Sequence, residues 1–291
     1  MLVEQFIQYV QAEKRFSPHT VMAYRRDMTQ FSEFVKVACG SEDLQQVSAN
    51  MVRSFVAMLK EDGMANSSIN RKLSTLRSFY KFCLREGYVQ KSPMTAVKAL
   101  KRPKALAKFV TEADINKVSY AEACDLPAFR DHLLFELFYQ TGIRQSELRA
   151  LRDGDVDAFG MQLKIHGKGN KERLVPLSRE MVAMITRYQA LRDEAFPVKA
   201  DRLLLNDKGE ALSPHYVYDR VRHQLEGITT LKQKSPHVLR HTFATHLLDE
   251  GANLAAIQRL LGHEDLATTQ VYAHNNIEQL KKIHKQAHPK G

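Results

Sequence analysis

The chain has 291 residues, and its 43 lysines and arginines outnumber its 33 acidic residues, giving a formal net charge of +10. A surplus of this size indicates a polyanionic partner, most often nucleic acid. The alternative is a soluble protein that is basic but has no such partner. Cys39, Cys83 and Cys124 are few, odd in number and widely spaced, without zinc-ligand spacing, so we expect reduced core residues in a cytoplasmic protein. Glu136 interrupts the longest apolar run, residues 133–139, and we predict neither a membrane span nor a signal peptide.

The first predicted domain, residues 1–90, reads as four helices. Each start has a capping residue, and two of the ends are followed by glycine. The helices are predicted over about residues 3–14, 17–37, 48–62 and 67–86.

The fourth predicted helix has an apolar face and, on another side, a stripe of basic residues. Such a stripe suits a helix laid against a DNA groove, and a solvated surface is the alternative. The candidate DNA-binding residues on this helix are Arg71, Lys72, Arg77 and Lys81.

Residues 91–110 are predicted to form a basic connector between two domains. Pro93 and Pro103 would interrupt a helix there, and the lysines and arginines of this stretch have no acidic residue among them. A positively charged, extended connector suits a path along a phosphate backbone. Lys101 and Arg102 are its candidate DNA contacts.

The second predicted domain, residues 111–291, starts with a capping-box-like Thr-Glu-Ala-Asp sequence and a helix over residues 131–139. Gly142 is expected to end that helix, which places Arg144 in a turn before the next one. A buried ion pair between Arg144 and Glu147 is the structural alternative to a catalytic arginine.

Residues 161–177 alternate between apolar and polar on both sides of G-K-G-N, which predicts a β-hairpin. Lys168 lies in its turn between two glycines. A mobile lysine there can donate a proton to a leaving oxygen, although most turn lysines are simply solvated. A further helix is predicted from Ser213-Pro214 to Gly227.

Residues 235–274 contain the densest set of candidate functional residues. Ser235 is a predicted N-cap, and His237 and Arg240 lie on one face of the first helical turn, where the helix dipole favours an anion. A His237–His241 metal pair is disfavoured, because the glutamate of an HExxH-type site is missing and Arg240 would repel a cation. We therefore predict no metal site.

A short helix is predicted from Leu254 to Leu261, ended by Gly262 and followed by His263 and Tyr272. An arginine fork matches phosphate oxygens, a histidine moves protons near neutral pH, and a tyrosine hydroxyl can attack phosphorus. Each residue alone is better explained by packing or capping, so the prediction depends on the ordered set. That set is Arg144, Lys168, His237, Arg240, His263 and Tyr272.

The ordered set resembles the tyrosine recombinase (phage integrase-like) family, and within it the bacterial Xer recombinases. The resemblance lies in T-G-I-R-Q-S-E-L, G-K-G-N-K-E-R-L-V-P-L, H-V-L-R-H-T-F-A-T-H-L-L and L-L-G-H-E-D-L-A-T-T-Q-V-Y. One departure is Ala255, near which relatives often have a basic residue. The family implies a mainly α fold with a small β-hairpin sheet, in which a four-helix SAM-like core-binding domain and a mixed α/β catalytic domain form a clamp around DNA.

The resemblance also implies a role for each residue. Tyr272 would attack a DNA phosphate to form a 3′-phosphotyrosine, Lys168 would protonate the leaving 5′-oxygen, and His237 would assist proton transfer at the tyrosine. The remaining family residues, Arg144, Arg240 and His263, would bind the phosphate. No metal and no cofactor is implied.

The implied partners are double-stranded DNA at a specific site, a tetramer of this chain alone or with a sister recombinase, and an FtsK-type translocase. The lysine-rich segment 276–287 predicts an amphipathic tail helix that docks on a neighbouring protomer. The expected role is resolution of chromosome or plasmid dimers at a dif-like site. The alternatives are a mobile-element integrase, a type IB topoisomerase-like enzyme and a DNA-binding regulator without catalysis.

Overall fold

The computed structural model describes residues 2–101, 109–118, 125–167, 171–198, 200–262 and 288. The chain divides into two compact units, Met1–Lys104 and Ala105–Gly291. Both are built mainly from helices, and the second also contains a small antiparallel sheet, which confirms the predicted fold class. No helix among the described residues is long and apolar enough to cross a membrane.

The first unit contains the four predicted helices. They are α1 Leu2–Ala12, α2 Pro18–Cys39, α3 Ala49–Glu61 and α4 Asn66–Arg85. The side chains of Ser17 and Ser48 accept hydrogen bonds from backbone N–H groups in the first turns of α2 and α3, as the sequence predicts. Gly40 ends α2 in the left-handed conformation with φ 66°.

An aromatic core holds the first unit together. Phe6 and Phe79 meet edge to face with ring centroids 5.3 Å apart, and Phe31 and Phe55 do so at 5.1 Å. All four side chains are buried.

The start of the predicted connector packs on this first unit. Met94 and Val97 belong to its core, and residues 93–96 form a short 3-10 helix. The Asn70 side chain holds the backbone of Leu100 through both its oxygen and its nitrogen, at 2.8 and 2.9 Å. The basic residues of this segment are therefore fixed to the helical unit at least as far as Leu100.

The second unit is built around one buried helix. Its elements are α5 Glu112–Ile115, α6 Leu126–Thr141, α7 Gln145–Ala150, β1 Val156–Asp157, β2 Gln162–His166, β3 Glu172–Pro176, α8 Arg179–Ala195, α9 Pro214–Ile228, α10 Pro236–Asp249 and α11 Leu254–Leu261. Helix α6 contacts α8, α9 and α10, and its side chains from Leu133 to Thr141 are all buried. The three strands pair in the order β1-β2-β3, all antiparallel.

The structure departs from two sequence-based expectations in the first unit. Helix α4 begins at Asn66 after Ala65, which makes no side-chain capping hydrogen bond, so the capping residue predicted at its start is wrong. Cys39, expected in the core, is exposed.

The second unit also departs from the sequence-based expectations. Helix α6 begins at Leu126 rather than near residue 131, because the Asp125 carboxylate caps it by accepting from the Ala128 N–H at 2.7 Å. Helix α8 and strand β1 were not predicted. Ser235 occupies the predicted N-cap position of α10, but its side chain does not cap the helix: the hydroxyl is buried and has no hydrogen-bond partner in the described part of the chain.

Candidate active site

Three arginines from three separate elements converge on one end of helix α11. Arg173 donates to the carbonyl of Leu260 at 2.8 Å, Arg240 to that of Leu261 at 2.6 Å, and Arg144 to that of Gly262 at 3.0 Å. The last carbonyls of a helix lack intrahelical partners and carry the negative end of its dipole. The end of α11 therefore gathers the three guanidinium groups.

Arg144 reaches this position because helix α6 stops abruptly at Gly142. Gly142 has φ 58°, and a Cβ at this position would lie 2.5 Å from the Phe243 ring. Only glycine meets both conditions, so the chain can turn here and start α7 directly after Arg144. The residue that the sequence predicts in a turn is found in one.

Glu147 is the carboxylate at the centre of the cluster. Its oxygens accept from the Arg144 side chain at 2.8 Å and from the Arg144 backbone N–H at 3.0 Å. They also accept from both terminal nitrogens of Arg173, at 2.9 and 2.7 Å. The Arg144–Glu147 ion pair that was considered as a structural alternative is thus present, and it forms part of a larger cluster.

Arg240 crosses between two helix ends. It extends from α10 and donates to the carbonyl of Gly142, after α6, as well as to that of Leu261 in α11. These two contacts leave further N–H groups on the guanidinium, because arginine has more donors than they occupy. The side chain is only partly exposed, so its charge acts in a partly desolvated site.

The electrostatics of the cluster favour an anion. Burial raises the pKa of Glu147, but the hydrogen bonds and charges of Arg173 and Arg144 outweigh burial and lower the pKa to about 2. Burial and the neighbouring charges of Arg144 and Arg173 lower the pKa of Arg240 to about 10. Glu147 and Arg240 are therefore both charged at neutral pH. Three guanidinium groups face one carboxylate, so positive charge is in excess.

His237 lies in the first turn of α10, three residues before Arg240, and its side chain is exposed. The structure therefore brings Arg144 and Arg240 together and presents His237 from the helix that carries Arg240. Lys168, His263 and Tyr272 lie outside the described residues. Lys168 follows Gly167, whose N–H donates to the carbonyl of Lys171 at 2.7 Å across the hairpin, and His263 directly follows the glycine that ends α11.

The predicted DNA-binding residues of helix α4 occupy different environments. Lys81 is exposed, and the partly exposed Arg77 donates to the carbonyl of Val97 at 3.1 Å. Lys72 is buried and its amine contacts the Asp27 carboxylate at 2.9 Å, so this lysine belongs to the interior of the unit rather than to a DNA contact. Arg71 also binds Asp27, through two hydrogen bonds, but half of its side chain remains exposed. Lys101 is exposed, and Arg102 lies outside the described residues.

A groove of about 730 Å³ runs between α2 and α4 of the first unit. Arg25, Arg26 and Arg71 line it together with polar and apolar side chains of both helices. Arg25 and Arg26 were not predicted from the sequence as binding residues. The spacing to the buried Asp27 gave no signal for them, because side chains one and two residues before it in a helix do not lie on its face.

Arg173 was also not predicted from the sequence as a functional residue. Strand alternation places Arg173 on the same side of β3 as the buried Val175, and an arginine on a buried side needs an acidic partner. No group of three or more histidine, cysteine, aspartate and glutamate side chains in the described ranges is arranged to hold a metal ion.

Two family models match the chain. The phage integrase family matches residues 108–279, and the phage integrase N-terminal SAM-like domain matches residues 3–87. Both regions contain residues identified from the sequence, including Arg144 and Tyr272 in the first match and Arg77 in the second.

Curated relatives match along nearly the whole chain. Tyrosine recombinase XerC of Thermodesulfovibrio yellowstonii is 36% identical over 99% of this chain and 96% of the relative. Tyrosine recombinase XerC of Bacillus subtilis is 34% identical over 99% of this chain and 96% of the relative.

Solved structures share the fold at low sequence identity. The XerH site-specific recombinase bound to a palindromic difH substrate is 20% identical, with a TM-score of 0.71, and the match covers 97% of this chain and 93% of that one. The Tn1549 transposon integrase in complex with transposon right end DNA is 18% identical, with a TM-score of 0.72, over 97% of this chain and 99% of that one. Because both of its domains match the family models and these relatives align with nearly its whole length, the chain belongs to the phage integrase family of tyrosine recombinases.

Proposed function

We propose that this chain is a site-specific recombinase that cleaves and rejoins double-stranded DNA, with Tyr272 as the nucleophile. The observation that carries the proposal is the convergence of Arg144 and Arg240 at the end of α11, where positive charge is in excess. Two arginines held by backbone carbonyls form a preorganised site for a phosphate whose negative charge grows in the transition state.

In the proposed reaction the Tyr272 oxygen attacks the phosphorus, and the bond to the 5′-oxygen of the next nucleotide breaks. The products are a 3′-phosphotyrosine and a free 5′-hydroxyl. Lys168 supplies the proton to the leaving oxygen, and His237 assists removal of the tyrosine proton. His263 and the two arginines, Arg144 and Arg240, bind the non-bridging oxygens.

The ester conserves the energy of the broken phosphodiester bond. A 5′-hydroxyl from a second duplex can therefore attack it and reseal the strand without a nucleotide cofactor or a metal ion in the chemical step. The arginines suit both steps, because the pKa of Arg240, although lowered to about 10, keeps the guanidinium charged at neutral pH.

DNA binding is proposed to involve both units. Arg71, Arg77 and Lys81 extend from α4, and Arg71 lines the groove between α2 and α4. Lys101 and Arg102 continue this positive charge into the connector. Contacts from lysine and arginine to phosphate are independent of sequence and weaken with salt, so these residues are expected to set affinity more than site choice.

At the cellular level we propose a cytoplasmic enzyme that resolves chromosome or plasmid dimers at a dif-like site. The curated relatives are named tyrosine recombinase XerC, which supports this assignment over a topoisomerase-like role. A tetramer on DNA, a sister recombinase, an FtsK-type translocase and docking of segment 276–287 on a neighbouring protomer are parts of the same proposal.

The proposal is tested with a suicide duplex that carries a dif-like site and a nick close to the cleavage position. The nicked fragment diffuses away after cleavage, so the covalent complex accumulates and is visible on a denaturing gel. A protein–DNA band that disappears in Tyr272→Phe is the expected result. Plasmid relaxation without any target site would favour a topoisomerase, and tight binding with no covalent band, alone or with a sister recombinase, would favour a regulator.

A further inference from the structure

Arg173 is the member of the arginine cluster that the predicted catalytic set does not include. It lies in β3, five residues after Lys168 at the hairpin turn. Its side chain contacts Glu147 in α7 and the Leu260 carbonyl in α11, three residues before His263. The Arg173 side chain therefore links the hairpin, the turn that carries Arg144, and helix α11, which directly precedes Gly262 and His263.

The contact with Glu147 determines how Arg144 is held. Arg173 binds both oxygens of Glu147 in a fork, at 2.9 and 2.7 Å. Arg144 makes one side-chain hydrogen bond to the same carboxylate, and its other terminal nitrogen donates to the Gly262 carbonyl. A fork between an arginine and a carboxylate is stronger and more specific than a single hydrogen bond. Among the side chains, Arg173 therefore holds Glu147 more strongly than Arg144 does, and the Arg144 backbone N–H adds a hydrogen bond at 3.0 Å.

We propose that Arg173 is a positioning residue for DNA strand cleavage, which keeps Arg144 available to the phosphate by neutralising Glu147 and limiting Arg144 to one side-chain hydrogen bond with that carboxylate. This inference rests on the proposed function. Without Arg173, both Glu147 oxygens turn to Arg144, whose guanidinium then pairs with the carboxylate in place of the substrate.

The burial of the cluster strengthens the competition between Glu147 and the phosphate for Arg144. Side-chain exposure is 12% for Arg173 and 6% for Glu147, so solvent screens their charges weakly. An uncompensated carboxylate in such a site attracts the nearest cation strongly, and Arg144 is already in contact with it.

The second contact of Arg173 fixes the end of α11. Its Nε donates to the Leu260 carbonyl at 2.8 Å, and a Cβ built on Gly262 would lie 3.2 Å from its Nη1. The guanidinium thus lies against the residue from which the chain continues to His263. A lysine cannot reproduce this arrangement, because its ammonium group lacks the planar fork.

The test compares Arg173→Met and Arg173→Lys with the wild-type chain in single-turnover cleavage of the nicked suicide duplex at saturating protein. Both substitutions are expected to lower the rate of covalent complex formation roughly tenfold to a hundredfold, as for other small displacements of a catalytic group. The dissociation constant for intact DNA is expected to stay within about threefold of wild type, since the effect is on the reaction rather than on binding. A gel-shift titration measures that constant.

Arg192→Met is the matched control. Arg192 is a buried arginine of the same unit that pairs with Asp153 and Asp193 and contacts no residue of the cluster in the described chain. Assayed at a temperature where thermal unfolding shows every variant folded, it is expected to cleave at the wild-type rate. If Arg173→Met does not fold, Arg173→Lys provides the comparison.

A rescue experiment separates positioning from a merely structural role. Adding Glu147→Gln to either Arg173 variant removes the charge that competes for Arg144, so the double variant is expected to cleave faster than the Arg173 variant alone. A structural role predicts a further loss instead. Cleavage within about twofold of wild type by an Arg173 variant, or a double variant slower than or equal to the single one, would overturn the inference. A wild-type chain that forms no covalent complex would overturn the proposed function itself.

Discussion

Arg240 donates to the backbone carbonyl of Leu261 at 2.6 Å, which places a proposed catalytic side chain in direct contact with the last residue of α11. The chain leaves that helix through Gly262 and continues to His263. The proposed phosphate-binding arginine and the segment that leads to the proposed nucleophile are therefore both positioned by the C-terminal end of α11.

Arg240→Lys is expected to abolish most cleavage while DNA binding persists. The lysine keeps the charge but lacks the planar fork of arginine. In the wild-type chain that fork donates to the Gly142 and Leu261 carbonyls and has further N–H groups for phosphate. A loss of roughly a hundredfold to a thousandfold in the single-turnover rate is expected, the usual effect of removing one transition-state donor. Arg222→Lys, an exposed arginine of α9 paired with Glu226, is the control and is expected to cleave normally. Equal rates for the two variants would contradict the role of Arg240.

Gly142→Ala is expected to destabilise the chain by roughly 1–3 kcal/mol, because the residue has a left-handed backbone and its new Cβ would collide with Phe243. Urea denaturation measures the change in the free energy of unfolding. Gly154→Ala is the comparison, since no atom lies within 4 Å of the position that its Cβ would occupy and its φ is not in the left-handed region. If both substitutions lower the free energy of unfolding by the same amount, the steric argument at Gly142 is wrong.

Glu147 makes stability depend on acid pH. Its pKa falls from an ordinary value of 4.5 to about 2 in the folded chain, so its contribution is present above pH 4.5 and is lost as the pH falls from there through 2. The contribution is on the order of 3 kcal/mol near neutral pH. The difference in unfolding free energy between wild type and Glu147→Gln should therefore shrink between pH 5 and pH 3, as measured by urea titration. A difference that does not change over that range would contradict the low pKa.

Asp27→Asn is expected to destabilise the first unit by roughly 3–5 kcal/mol, because it leaves the buried Lys72 amine without its counter-charge. The same change frees the exposed part of Arg71 from its two hydrogen bonds to the carboxylate. Glu4→Gln, which removes an exposed partner of Arg25, should leave stability nearly unchanged, because solvent screens that surface pair. Thermal unfolding of both variants distinguishes the buried pair from the surface pair, and similar melting temperatures would contradict the burial argument.

Much of the fold follows from local signals in the sequence. The four helices of the first unit were predicted from their caps and apolar spacing, and α11 with its Gly262 stop was predicted to the residue. Helix α8 shows the same type of signal, because Met181, Ile185 and Tyr188 recur at helical spacing, and it could have been predicted. Strand β1 could not, since a two-residue strand has no periodicity of its own.

The sequence predicted which residues form the site, but it did not predict the contacts that hold them in place. Arg144 and Arg240 were identified from their motifs, whereas their contacts depend on backbone carbonyls 118 and 21 residues away. Backbone carbonyls have no sequence signature. Arg173 was assigned only to a strand, although strand alternation places it on the buried side of β3. The stripe predicted on α4 included Lys72, because its partner Asp27 lies 45 residues away in the sequence.

The measurement that tests the central claim most directly is the identification of the amino acid attached to DNA. The covalent complex trapped on the suicide duplex is digested with nuclease and protease, and the modified peptide is sequenced by mass spectrometry. The account predicts a nucleotide linked through its 3′-phosphate to Tyr272. Attachment at any other of the ten tyrosines, or to a different type of residue, would contradict it.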